Sequence, residues 1–107
     1  MHQTVMNAEA IAASGTFTSD AISLGVNERA LGLYYVITGT GTVTFNYLAT
    51  VDGINYVTKQ IAADKTAGAD ILEVDAVPCE AIKIQAVETG AANAVTITAK
   101  LCAVTWF

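Results

Sequence analysis

The feature that most constrains this chain is the segment Thr42-Val43-Thr44-Phe45-Asn46-Tyr47-Leu48-Ala49-Thr50-Val51. Apolar residues hold its odd positions and polar residues its even ones, with Leu48 the exception. A period of two fits a β-strand with one buried face and one wet face. A helix of the same sequence would scatter its apolar groups around the cylinder instead of gathering them into a stripe. The composition generalises the point. Val, Ile and Thr supply 34 of the 107 residues, and β-branched side chains favour strands. There is one proline, and the eight glycines fall mostly between apolar runs, where turns need them.

Upstream lies Leu31-Gly32-Leu33-Tyr34-Tyr35-Val36-Ile37, apolar on both faces. The linker Thr38-Gly39-Thr40-Gly41 has the length and chemistry of a hairpin loop, which would pair Ile37 with Val43 and Tyr35 with Phe45. A second hairpin is expected from residues 81–87 and 94–101, joined by a turn at 88–93. Pairing Ile84 with Ile97 and Ile82 with Ala99 sets Val95, Ile97 and Leu101 beside Ile82, Ile84 and Ala86, with Lys83 and Lys100 on the wetter face. Asp52-Gly53 is a tight-turn signal that folds 42–51 back onto a strand at 54–61. Further strands are expected at 16–18, 21–25 and 71–74. Residues 62–70 read as a loop whose alanines permit a short helical turn, and 5–13 fit a strand, a helix or an arm. The expected fold is all-β: a single-domain antiparallel β-sandwich, jelly-roll-like, of about 7–8 strands. Residues 1–14 form an N-terminal arm or first strand, and 15–107 form the sandwich.

Charge narrows the functions. Ten acidic and five basic residues give a net charge of −5, and five scattered cations do not make the dense positive surface that a nucleic-acid binder needs. No stretch approaches the roughly 20 apolar residues of a membrane span. The opening Met1–Glu9 has neither the positive start nor the apolar run of a signal peptide, so synthesis in the host cytoplasm is expected. His2 is the sole imidazole and sits near a terminus, which leaves little for histidine catalysis. Asp20, Asp52, Asp64, Asp70 and Asp75 do not form the dense acidic run of a calcium loop. Gly39-Thr40-Gly41-Thr42 lacks the lysine and the following helix of a phosphate loop. No catalytic residue, cofactor or metal is assigned. Tyr34, Tyr35, Tyr47, Tyr56, Phe45 and Trp106 could make a sugar-stacking platform, but Tyr35, Phe45 and Tyr47 share the core-facing parity. The register that pairs Ile84 with Ile97 also sets Cys79 opposite Cys102, so that a disulfide fits geometrically. Two reduced thiols are the default for a cytosolic product.

The run from Gly41 to Val57, a strand followed by Val51-Asp52-Gly53-Ile54-Asn55-Tyr56, resembles a hairpin of small β-sandwich virion proteins of tailed bacteriophages. Pro78–Gly90 and Asn93–Leu101 resemble their closing hairpin. Similar hairpins occur in carbohydrate-binding and adhesion sandwiches. The resemblance implies a non-enzymatic capsid decoration (cement) protein, or another head or tail component, located in the virion. Physics points the same way. With 53% hydrophobic residues, a sandwich this small leaves apolar strand surface outside, and such surface associates unless it is managed. Covering it stabilises by about 25 cal/mol per Å². The candidate interface residues are Leu48, Tyr34, Val36, Tyr56, Trp106 and Phe107. The expected partners are further copies of the chain, as a dimer or trimer, and a major capsid or other virion protein. The acidic balance keeps it away from packaged nucleic acid. The alternative is a carbohydrate- or receptor-binding β-sandwich module of a phage tail, fibre or adhesion protein.

Overall fold

The alternating segments do form strands, and their odd–even pattern sets which side chains enter the core. The computed structural model describes residues 2–24 and 28–105. In chain order the strands are β1 (His2–Ile11), β2 (Thr16–Thr18), β3 (Ile22–Ser23), β4 (Glu28–Gly39), β5 (Val43–Thr50), β6 (Val57–Lys65), β7 (Gly68–Asp75), β8 (Ala81–Glu88) and β9 (Val95–Thr105). No helix is long and apolar enough to cross a membrane among the described residues.

Two antiparallel sheets face each other. One has the order β1-β9-β4-β7 and the other β2-β8-β5-β6, with β3 also on β8. β2 and β3 are one strand interrupted at Ser19. There the Ser19 amide donates to the Ile84 carbonyl at 2.8 Å, while its hydroxyl accepts from the Ile84 amide at 2.9 Å. Counted that way, two four-stranded layers make a jelly roll. Gln3 pairs with Leu101, Ile22 with Ile82, Tyr34 with Ile71 and Asn46 with Gln60. Each pair is centred on residues 52–53. The chain is therefore one long hairpin with Asp52-Gly53 at its tip, rolled so that its arms alternate between layers.

That rolling overturns both expected hairpins and keeps only the turn at the tip. β5 does fold back onto β6. Ile37 and Val43, however, lie in different sheets, because β4 pairs with β7 and β9 while β5 pairs with β6 and β8. Ile84 and Ile97 are likewise in opposite layers. The connections cross from sheet to sheet. Gly39 at φ 105 starts the first crossing, and a side chain there would meet the Ala94 carbonyl oxygen at 2.8 Å. Residues 62–70 are not a loop: β6 runs to Lys65 and β7 begins at Gly68. The segment at 5–13 belongs largely to β1, which pairs with β9.

The core-facing parity holds although the partners differ. Leu33, Ile37, Val43, Phe45, Ile82, Ile84, Ile97 and Leu101 are fully buried between the layers. Tyr35 and Phe45, expected as ladder neighbours, meet instead across the sandwich, with ring centroids 4.9 Å apart and planes tilted by 40°. Val51 departs from its pattern. It lies past the end of β5 and is exposed.

One end of the sandwich is closed by a buried carboxylate. Glu88 is 1% exposed and accepts four backbone N–H bonds, from Ser14 at 3.0 Å, Thr42 at 2.8 Å, Gly90 at 2.8 Å and Ala91 at 2.7 Å. Those amides, Ser14 and Thr42 first, hold its carboxyl at about 2, well below the ordinary value of 4.5. The residues expected to make a hairpin loop thus present an amide to a carboxylate within the protein, with Gly41 too crowded by Val95 and Asn93 to carry a side chain.

Candidate functional site: the tip of the rolled hairpin

The opposite end of the sandwich carries four exposed apolar groups, Val51, Ile54, Val57 and Val77. The tip is held by three short side chains, those of Thr50, Asp52 and Asn55. Thr50 Oγ1 donates to Asp52 Oδ1 at 3.1 Å and accepts from the Gly53 amide at 2.9 Å. Asp52 Oδ1 accepts from the amides of Ile54 and Asn55, both at 2.8 Å, and Asn55 Nδ2 donates to Oδ2 at 2.9 Å. These bonds, chiefly the Asn55 and Ile54 amides, hold the Asp52 carboxyl well below the usual carboxylate range. Gly53 takes φ 77, where a side chain is strained. The Asp-Gly pair thus does the turn work expected of it.

The segment between β7 and β8 packs against this tip and is itself pinned. Tyr47 donates its hydroxyl to the Asp75 carbonyl at 3.3 Å and accepts from the Val77 amide at 3.2 Å. The Glu80 amide donates to the Thr50 carbonyl at 2.9 Å. Between tip and segment lies a cleft of about 470 Å³, lined by Ala49, Val51, Asp52, Asn55, Val57, Lys59, Val77, Pro78 and Cys79. Its rim stays uncovered: Val51 is 73% exposed, Val57 61% and Val77 37%, with Ile54 at 80% on the adjoining turn. Four large apolar side chains at one end of a small domain form a patch rather than a scatter. A smaller cleft of about 250 Å³ between the β6 and β7 edges is lined by Tyr47, Lys59, Glu73 and Asp75 among others.

Of the six expected interface residues, the four that are described do not converge. Tyr34 and Val36 sit on the outer face of the β1-β9-β4-β7 sheet, and Leu48 on the outer face of the other. Tyr56 is half-buried, with the Lys83 ammonium 4.5 Å from its ring centroid, so its face already holds a cation. Trp106 and Phe107 lie outside the described residues. Cys79 borders the tip cleft, and Cys102 is exposed on β9 opposite His2 and Gly32. No disulfide joins the two cysteines, because the register that set them opposite each other belonged to a β8–β9 pairing that does not form. Among the described residues no three His, Cys, Asp or Glu side chains converge as a metal site would require. Sequence reasoning missed Ile54, Val57 and Val77. An isoleucine beside Asp52-Gly53, in a turn where polar residues prevail, was the readable signal.

No protein-family model matches the sequence, and no curated protein does. Solved structures do share the fold. The VP2 subviral particle of infectious bursal disease virus matches with a TM-score of 0.68 and 11% identity over 94% of this chain. The enzymatically active domain of tailspike protein 4 of bacteriophage CBA120 matches with a TM-score of 0.62 and 15% identity over 96% of this chain. The carbohydrate-binding module CBM29-2, complexed with cellulohexaose, matches with a TM-score of 0.53 and 12% identity, covering 96% of this chain and 90% of the module. This chain spans only 31% of the VP2 chain and 15% of the tailspike chain. At these identities the likeness is one of fold: a β-sandwich of the kind that virus particles and binding modules both use.

Proposed function

We propose that the chain is a non-enzymatic structural component of a virion, a capsid decoration or cement protein of a tailed phage that docks on a protein shell through the tip of its rolled hairpin. The observation that supports this reading most is the uncovered rim of Val51, Ile54, Val57 and Val77 around a cleft whose two walls are hydrogen-bonded in place. A rigid apolar end loses little conformational entropy on binding, which favours stable attachment. The viral particle among the fold neighbours is compatible with that role.

The test is co-sedimentation of the purified chain with purified virion shells from its source. The double variant Val51→Ser, Ile54→Ser is expected to lose attachment while its stability changes by no more than about 0.5 kcal/mol, since both side chains face solvent. Unchanged attachment would remove the tip as the docking surface.

A second reading has its own support. Thr18, Gln85, Asn46 and Gln60 line up across four strands on one outer face. Asn46 Nδ2 donates to Gln85 Oε1 at 3.1 Å, and Gln85 Nε2 to Thr18 Oγ1 at 3.2 Å. A row of amides and hydroxyls suits sugar hydroxyls, which makes a carbohydrate- or receptor-binding module the alternative. A glycan array without hits would remove it.

A further inference from the structure

Four strands end the two sheets, and three of them carry devices that spoil pairing with another chain. β1 is bulged twice against β9, with Ala8 at φ 49. β2 and β3 are three and two residues long. β6 is bulged against β5, has Asp64 at φ 58, and sends Lys59 into the cleft between the sheets. β7 has none of these beyond its first residue, Gly68 at φ 134. Its eight residues pair with β4 from Asp75 to Gly68 without a register shift. Its free side therefore offers a straight row of backbone donors and acceptors. On the outer face of that sheet, Ile71 is 69% exposed beside its cross-strand neighbour Tyr34 at 38%.

We propose that β7 pairs antiparallel with β7 of a second copy of this chain, about a two-fold axis at Ile71, to make one continuous eight-stranded sheet. Parity fixes the choice of register, because inner and outer faces stay continuous only if an odd residue meets an odd one. Centring on Ile71 places it against its own counterpart and carries the Tyr34–Ile71 row across the junction. In that register Asp70 faces Leu72 and Glu73 faces Ala69, so no two acidic side chains meet. Centring on Leu72 would set Ile71 against Glu73 instead. One bond has to yield: the Ile71 amide is held by Asp70 Oδ1 at 2.8 Å. Asp70 is thus a latch that satisfies this amide in the isolated chain and releases it for the partner's carbonyl.

The pairing supplies the self-association half of the role proposed above, and the two stand or fall separately. A chain that dimerises through β7 yet ignores shells keeps the pairing and removes the role; a monomer that still coats shells does the reverse. Sedimentation equilibrium of the full chain is expected to show a dimer at high concentration. Asp70→Ala should shift the midpoint about a hundredfold toward lower concentration, the effect of losing one charge-assisted bond in each of the two chains that pair. Ile71→Lys should be a monomer with an unchanged strand spectrum. Antiparallel partners at Ile71 lie about 5.5 Å apart at Cα, within disulfide reach. Ile71→Cys, in a Cys79→Ser, Cys102→Ser background, should therefore cross-link on oxidation, whereas Ile54→Cys should not. A native chain that stays monomeric throughout, or an Ile71→Cys chain that fails to cross-link, overturns the pairing.

Discussion

Glu88 shows how one side chain can organise three connections. Its two oxygens take amides from the turn after β1, from the β4–β5 crossing and from the turn after β8. A carboxylate held at about 2 stabilises the fold in its charged form, so its contribution is complete above the ordinary value of 4.5. As the pH falls from about 4.5 to about 2, the folded protein must take up the proton and that stability drains away. Asp52, lowered for the same kind of reason, adds to the loss at the acidic end of this window. Glu88→Gln offers an amide where the site wants only acceptors. Thermal melts from neutral pH down to about 2 should show a lower Tm than wild type at neutral pH and a flatter decline, with the slope due to Asp52 remaining. A variant that melts with the wild-type pH profile would mean that the four amides are satisfied some other way.

Among the elements, β1 separates an arm from a working strand. Met6 is 1% exposed and Ile11 3%, both within the core, while β1 pairs along β9 from His2 to Ile11. An arm awaiting a neighbour would leave those positions free to change. Here Met6→Ala should cost about 2–5 kcal/mol in denaturant unfolding, the range for emptying a packed core site. A cost near zero would return the segment to the status of an arm. The same strands show what a sequence can and cannot convey. Alternation in 43–49 and 82–87 declared which side chains are buried, because burial depends only on the period of the strand. It did not declare the partner. Ile84 meets the same kind of apolar neighbour whether Ile97 lies beside it or across from it, so the crossing connections read as hairpin turns. Asp52-Gly53 escaped this ambiguity because its turn is built from local hydrogen bonds. Residues 62–70 misled for the opposite reason: alanine-rich strands at a sheet edge have no alternation to display, since neither face is deeply buried. The tip cleft was hidden because one of its walls comes from Val77 to Cys79, distant in sequence from the turn.

For the molecule as a whole, the rolled hairpin brings distant parts of the chain together at one end. His2 lies opposite Cys102, while the tip at Asp52-Gly53 marks the point where the two arms diverge. Handles attached at those two residues would pull at the mouth of the hairpin, across its strands rather than along them. Hydrogen bonds loaded in that geometry open one after another, like a zip. Stretching in an optical trap should therefore unravel the protein at low force, whereas handles at His2 and Ala92, which load the paired β1 and β9 along their length from opposite ends, should meet stiffer resistance. A fold of this kind is tough only while its mouth is kept shut. A neighbour gripping that mouth would reinforce the domain mechanically without adding anything to its core.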